Sequence, residues 1–265
     1  MGAMQHHGRI AQGDIKCMGR SIWDFSKDEL RNYSWKEVSM IYQAAMNSLN
    51  PVITVQDHLV EVFRQHMDVQ VDEARENALN LLSSVGLSRS RASSYPHELS
   101  GEKHQRAVIA MALALSPKLL IADEPTSALD VVTQKQILKL IRKEVKQRDL
   151  SLIFITHEIL LLVGLVDNIV VMYKEQVVEW APADKLLSEP LHPYTETLLK
   201  TTLTKDSVPI ASVASEHQID VEAQDPVSDA CKFSHLCVYA FDRCTRERPV
   251  LRQVKPGRWV SCHKY

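Results

Sequence analysis

Two adjacent carboxylates, Asp123 and Glu124, end the apolar run Leu119-Leu-Ile-Ala and precede Pro125. A short apolar run that stops at acids reads as a buried strand of a mostly parallel sheet, handing both acids to its carboxyl edge. Open α/β sheets place their ligands at that edge. In phosphoryl-transfer chemistry the first acid holds Mg²⁺ and the second orients the attacking water. Three more positions share this pattern. Gln43 ends the β-type run Val38-Ser-Met-Ile-Tyr42, and His157 follows the run Ser151-Leu-Ile-Phe-Ile-Thr156. Ser100 and the amide of Gly101 precede an Ala-rich apolar helix, where unpaired N–H groups make a natural phosphate site. Apart from these, Cys231, Cys237, Cys244 and Cys262 place four thiols near the C-terminus, with Phe233, Tyr239 and Phe241 between them.

The elements that must position these residues alternate between two textures. Ser26 with Glu29 has the spacing of a capping box and predicts a short helix. Residues 55–67 and 71–85 each keep their apolar positions on one helical face, and Gly86 suits a helix C-terminus. From 106 onward strands alternate with helices, predicted at 106–115, 131–147 and 158–165, with strands at 119–123, 151–156 and 168–173. The expectation is a parallel sheet covered by helices on both faces. Residues 1–42 then form the N-terminal part of a core, 43–105 a helical subdomain, 106–203 the rest of the core, 204–230 a linker and 231–265 a Cys-rich extension.

Bulk properties narrow the class. The 265 residues carry a formal net charge of -2 and 45% hydrophobic residues, so nothing draws the chain globally to nucleic acid. No apolar run approaches the length of a membrane span, and no secretory signal is evident, so the expected place is the cytoplasm. Five cysteines leave one over if paired, which favours metal over disulfides; Cys17 reads as a bystander, and His235 and His263 as dispensable ligands. Only 8 glycines occur, and no G-x-x-x-x-G-K-S/T run is among them.

Taken together, order and spacing make the chain resemble the ATP-binding subunits of ABC transporters, in the oligopeptide/dipeptide import branch. Met40-Ile-Tyr-Gln-Ala-Ala-Met-Asn-Ser-Leu-Asn-Pro51 resembles the Q-loop and its continuation. Leu99-Ser-Gly-Glu-Lys-His-Gln105 resembles the signature motif, Leu119 to Glu124 the Walker B strand, Ser127-Ala-Leu-Asp130 the D-loop, and His157 the switch histidine. Glu189-Pro-Leu-His-Pro-Tyr-Thr195 resembles a segment that marks the branch. The resemblance implies a P-loop NTPase-like core that binds ATP and Mg²⁺. Glu124 would be the base or water orienter, Asp123 and Gln43 Mg²⁺ partners, and His157 a γ-phosphate contact; Ser100, Gly101 and Asp130 would lie at the composite site. It also implies a second ATP-binding subunit and membrane-spanning permease subunits as partners, on the cytoplasmic face of the membrane.

Two departures qualify that picture. The Walker A loop is not found, which predicts weak ATP binding and an inactive or very weak isolated chain. Glu102 stands where the signature has its second glycine, which predicts repulsion of a partner's γ-phosphate. A non-catalytic subunit that lends its signature to a partner is the alternative reading. The tail resembles an extension in which four cysteines hold a [4Fe-4S] cluster, with Zn²⁺ as the chemical rival.

Overall fold

The computed structural model describes residues 12–43, 49–127, 129–203 and 229–265, with nothing described for the side chains of Asn32 and Leu203. The expected linker lies almost wholly outside the described residues, as does the loop just after Gln43. The chain divides into two compact units, Met1–Ile155 and Thr156–Tyr265.

The first unit opens with a small hairpin, β1 (Lys16–Cys17) and β2 (Arg20–Ser21), followed by α1 (Lys27–Lys36). The capping box is formed: Ser26 Oγ accepts from Glu29 N at 3.2 Å, and Glu29 Oε2 accepts from Ser26 N at 2.8 Å. The helix is broken near its end, where Ser34 is extended and Trp35 has φ 76°.

Strand β3 (Val38–Ile41) then enters a three-stranded parallel sheet with β4 (Leu119–Asp123) and β5 (Ser151–Ile155), in the order β3-β4-β5. The register aligns Ser39, Leu120 and Leu152, and two residues on Ile41, Ala122 and Phe154. Side chains alternate between faces along a strand, so these six share one face, and that face belongs to the hydrophobic core.

Four helices build the rest of that core. They are α2 (Val55–His66), α3 (Val71–Ser84), α4 (Gly101–Leu113) and α5 (Val131–Arg148). Leu59, Leu82, Ile109, Leu113, Ile137 and Ile141 are almost completely buried among them. Thr54 caps α2 by accepting from Asp57 N. His58 then ties the preceding turn down, accepting from Asn50 N while its other ring nitrogen lies 2.8 Å from Thr54 O. The alanines of α4 let its backbone come close to β3, and α5 ends on Asp149 in the left-handed conformation.

The expectation of a sheet covered on both faces is corrected. The opposite face carries Met40, Ile121, Ile153 and Ile155, and there Ile153 and Ile155 remain 48% and 46% exposed. Two boundaries also move. Helix α4 begins at Gly101 rather than 106, because Ser100 already has N-cap geometry. The helix expected over 158–165 is only a 3-10 turn, Ile159–Leu162, because Val163 leaves helical geometry and Gly164 has φ 66°.

In the second unit the strand expected at 168–173 is present as β6 (Asn168–Tyr173), but it is not parallel. It pairs antiparallel with β7 (Gln176–Pro182) in a four-stranded sheet of order β6-β7-β9-β8, where β8 is Arg252–Lys255 and β9 is Arg258–Val260. The C-terminal tail is thus part of this unit's sheet. Helices α6 (Ala183–Ser188), α7 (Pro193–Leu203) and α8 (Asp242–Arg246) complete it.

A buried carboxylate organises this unit. Glu179 on β7 has no exposure and accepts from Leu191 N and His192 N, both at 2.9 Å. Arg258 on β9 lies 3.8 Å from it and bonds Glu189 Oε2 at 2.7 Å. The segment 189–195 is therefore fastened to the sheet through charge-assisted bonds.

Candidate functional site

Three residues picked out by spacing meet at the carboxyl edge of the parallel sheet. Register pairs Ile41 with Ala122, so Gln43 and Glu124 lie two residues past a matched pair on neighbouring strands. Gln43 Nε2 donates to Glu124 Oε2 at 2.9 Å, although 81 residues separate the two in the chain. Asp123 is the last residue of β4, in register with Ile155.

Glu124 is held from both sides of its peptide unit. Its N–H donates to Ile155 O at 3.0 Å, and its carbonyl accepts from Ser127 Oγ at 3.1 Å and Ser127 N at 3.3 Å. This fixes it at φ 44°. A left-handed conformation at a residue with a Cβ costs on the order of 1–3 kcal/mol and persists where the surroundings over-determine it. Here the bonds to β5 and to the following turn do so, and the carboxylate is delivered beside Gln43 rather than along the strand.

Asp130 ends the turn as the N-cap of α5. Its Oδ1 accepts from Val132 N at 3.0 Å and Thr133 N at 3.1 Å, and its Oδ2 accepts from Thr133 Oγ1 at 2.6 Å. The Thr133 side chain first, and then these amides, hold its carboxyl below the usual range. It is an anchor of the loop that carries Glu124 and Ser127.

Ser100 is exposed at the N-cap of α4, and its hydroxyl makes no cap hydrogen bond. Glu102 is not an isolated charge. Its Oε1 accepts from Arg106 Nε at 2.9 Å and lies 2.8 Å from Arg106 Nη2. Arg106 in turn donates through Nη1 to Val85 O at 2.6 Å, over the C-terminus of α3. A cation lies at the negative end of α3 and an anion in the first turn of α4, so both ends of the pair agree with the helix dipoles. Sequence reasoning passed over Arg106, although an acid four residues before a base on a helix signals such a pair.

His157 is exposed just past β5, at the start of the second unit, in the loop where Glu158 N donates to Thr156 Oγ1 at 3.0 Å. Its link to phosphate remains the family expectation.

Gln43 and Asp123 offer amide and carboxylate oxygens, the hard donors that suit Mg²⁺. That ion is usually bound by one or two carboxylates together with phosphate oxygens, not by a full protein cage.

The tail does not fit a loaded metal centre as it stands. Cys231, Cys237, Cys244 and Cys262 line one small cavity of about 20 Å³, with His192, Phe233 and His263 among the other walls. That is room for about one water molecule. Among the described residues no group of three or more His, Cys, Asp or Glu side chains is placed to hold a metal ion. Burial pushes the thiols of Cys231, Cys237 and Cys262 up from their ordinary range. The expected cluster ligands are thus gathered around one space without forming a ligand set, and His235 and His263 join none. Cys17 lies on β1, in the first unit.

Comparison with known proteins bears on this geometry. The family described as "ABC transporter" matches residues 2–127, and "Oligopeptide/dipeptide transporter, C-terminal region" matches residues 178–244. The oligopeptide transport ATP-binding protein AppD of Bacillus subtilis is 40% identical over 100% of this chain and 81% of its own length. The dipeptide transport ATP-binding protein DppD of Escherichia coli is 38% identical over 99% of this chain and 80% of its own. Among solved structures, the ATP-binding cassette MJ0796, a dimer in a post-hydrolysis state bound to ADP and Pi, is similar with a TM-score of 0.57 and 26% identity. That likeness covers 65% of this chain and 74% of the other.

Proposed function

We propose that this chain, which belongs to the family of ATP-binding subunits of oligopeptide and dipeptide ABC transporters, couples ATP binding and hydrolysis to peptide import. The observation that carries the reading is the meeting of Gln43, Asp123 and Glu124 at one sheet edge. It is supported by relatives such as AppD and DppD over nearly the whole chain. Its partners are a second ATP-binding subunit and the membrane-spanning permease subunits. Among the described residues no helix is long and apolar enough to cross a membrane, so attachment to the cytoplasmic face would run through those partners.

Mg²⁺ supplies charge neutralisation on the transferred phosphoryl group. Asp123 would hold that cation together with the side-chain oxygen of Gln43. Glu124 orients the attacking water and accepts its proton through a carboxylate oxygen. Asp130 and Ser127 keep the loop behind Glu124 in place, and His157 contacts the γ-phosphate. Ser100 and Gly101 offer a hydroxyl and an amide to the phosphate held by the second subunit. The pairing of Glu102 with Arg106 removes much of the repulsion that an unpaired acid would exert there.

The 265 residues contain no G-x-x-x-x-G-K-S/T run. This supports a finer reading, in which the chain on its own binds ATP weakly and works as a half-site completed in the assembly. Equilibrium binding of a fluorescent ATP analogue tests that reading, and micromolar affinity for the isolated chain would overturn it. In the assembled transporter, Glu124→Gln is expected to cut ATP hydrolysis by about 10²–10⁴-fold while nucleotide binding persists; an unchanged rate would remove Glu124 from the chemistry.

The four thiols of the tail, as they stand, fit neither a [4Fe-4S] cluster nor Zn²⁺, because the space they line has room for about one water molecule. Iron, sulfide and zinc analysis after anaerobic purification tests this, and one equivalent of a cluster or of zinc would overturn it.

A further inference from the structure

Helix α4 starts without the cap its N-cap residue could supply. Ser100 has N-cap backbone geometry, but its hydroxyl makes no cap hydrogen bond, and the first intrahelical bond runs from His104 N to Ser100 O at 2.8 Å. The N–H groups of Gly101, Glu102 and Lys103 therefore precede the ladder and make the natural anion site at this end. The chain carries an anion of its own there. Helix side chains lean toward the N-terminus, so a free Glu102 carboxylate would lie over those amides. Arg106, one turn further on, draws it the other way. Its Nε and Nη2 meet Glu102 Oε1 at 2.9 and 2.8 Å, while Nη1 donates to Val85 O at 2.6 Å. The Arg106 side chain is only 17% exposed, and Gly86 packs against it so closely that an added Cβ would lie 2.7 Å from Nη1.

We infer that Arg106 is a positioning residue for the phosphate end of α4, holding the Glu102 carboxylate off the first-turn amides so that Ser100 and Gly101 stay open to an incoming phosphate. The inference rests on reading Ser100 and Gly101 as contacts to the phosphate held by the second subunit. A guanidinium has the shape this role needs. Three of its donors are used in two directions at once, which the single ammonium of a lysine cannot reproduce. The bond to Val85 O anchors it at the C-terminus of α3, where the helix dipole favours a cation. Glu102 is thus pulled toward a fixed point. Without that anchor its carboxylate and the phosphate would compete for the same amides, and the acid would act as an internal blocker of the site.

The test has one arm without nucleotide and one with it. In the full ¹⁵N-labelled chain, Arg106→Met should shift the amide signals of Gly101 and Lys103, and adding Glu102→Gln should return them toward their wild-type positions. In the assembled transporter Arg106→Met should lower ATP hydrolysis about 10-fold, the scale of an anion at a partly buried helix N-terminus, and adding Glu102→Gln should recover most of that loss. Arg106→Lys, which keeps the charge and spares the packing, should fall between the wild type and Arg106→Met. A guanidinium needed only to pack α3 on α4 would give a loss that removing the Glu102 charge does not repair. A double variant as slow as Arg106→Met, or an Arg106→Met rate equal to the wild type, would therefore overturn the proposal. A wild-type transporter that hydrolyses no ATP would instead overturn the functional reading. The amide signals would then decide the positioning role by themselves, and signals that ignore Glu102→Gln in the Arg106→Met background would refute it.

Discussion

Replacing Glu179 is the sharpest test of how the second unit is held together. The side chain is fully buried, and its two oxygens accept from Leu191 N and His192 N, both at 2.9 Å. Those donors belong to residues only 5% and 2% exposed, so water cannot replace the lost acceptor. Hydrogen bonds to a charged group contribute about 1.5–3 kcal/mol each. The 3.8 Å separation from Arg258 adds attraction but no hydrogen bond, and Arg258 keeps its bond to Glu189 at 2.7 Å. Removing one member of a buried charged network costs roughly 3–5 kcal/mol, and Glu179→Ala should fall in that range. Glu179→Gln keeps one acceptor but turns an N–H toward the other donor, and should cost about 2 kcal/mol. Domain stability is typically about 5–15 kcal/mol, so the alanine variant spends a large share of it. Urea unfolding followed by tryptophan fluorescence is the assay, because Trp180 is the next residue on β7 and stacks on Trp259 at 6.1 Å. With a slope of about 1–3 kcal/mol/M the midpoint for Glu179→Ala should drop by at least about 1 M. A loss below about 1 kcal/mol for the alanine, or none for the glutamine, would refute the account of 189–195 as fastened by this carboxylate.

Gly86 has φ 83°, and an added Cβ would lie 2.7 Å from Arg106 Nη1. Gly86→Ala should therefore displace the guanidinium from Val85 O and Glu102, at a cost of about 1–3 kcal/mol read by thermal melting; an unchanged Tm would exclude the clamp. His104 is buried with both ring nitrogens lacking hydrogen-bond partners, and burial, then the nearby His58, hold its pKa below the ordinary imidazole value. The unfolded chain then binds the proton more readily, so this contribution to stability is complete above about pH 6.5 and is lost as pH falls through the lower folded value. His104→Leu should flatten that part of a Tm-against-pH profile, and an unaltered profile would assign it elsewhere. On the exposed sheet face, Ile153→Lys should change stability by no more than about 0.5 kcal/mol in urea unfolding; a larger loss would show that the side chain packs against the core.

Much of the first unit was legible because its signals are local. The capping box at Ser26, the one-sided apolar faces of α2 and α3, the glycine ending at Gly86 and the apolar run into Asp123 and Glu124 all depend on residues a few positions apart. Helical period and capping chemistry operate at that range. The strand 168–173 was equally visible as a strand, yet its pairing was not. A run of apolar residues fits a parallel or an antiparallel neighbour, and here the partner is the antiparallel β7, which pairs on its other side with a tail strand about 80 residues away.

What the chain encodes by itself, then, is the set of strands and helices and the order of the motifs that place it in its family. The tertiary structure decided what each chemical group faces. It set Gln43 against Glu124, answered the charge of Glu102 with Arg106, left Ile153 and Ile155 exposed, and gathered four thiols around a space too small for a cluster. The reason is physical. Propensity and periodicity act between near neighbours in sequence, whereas hydrogen-bond partners, burial and the state of a thiol depend on groups brought close only when the sheets and helices pack.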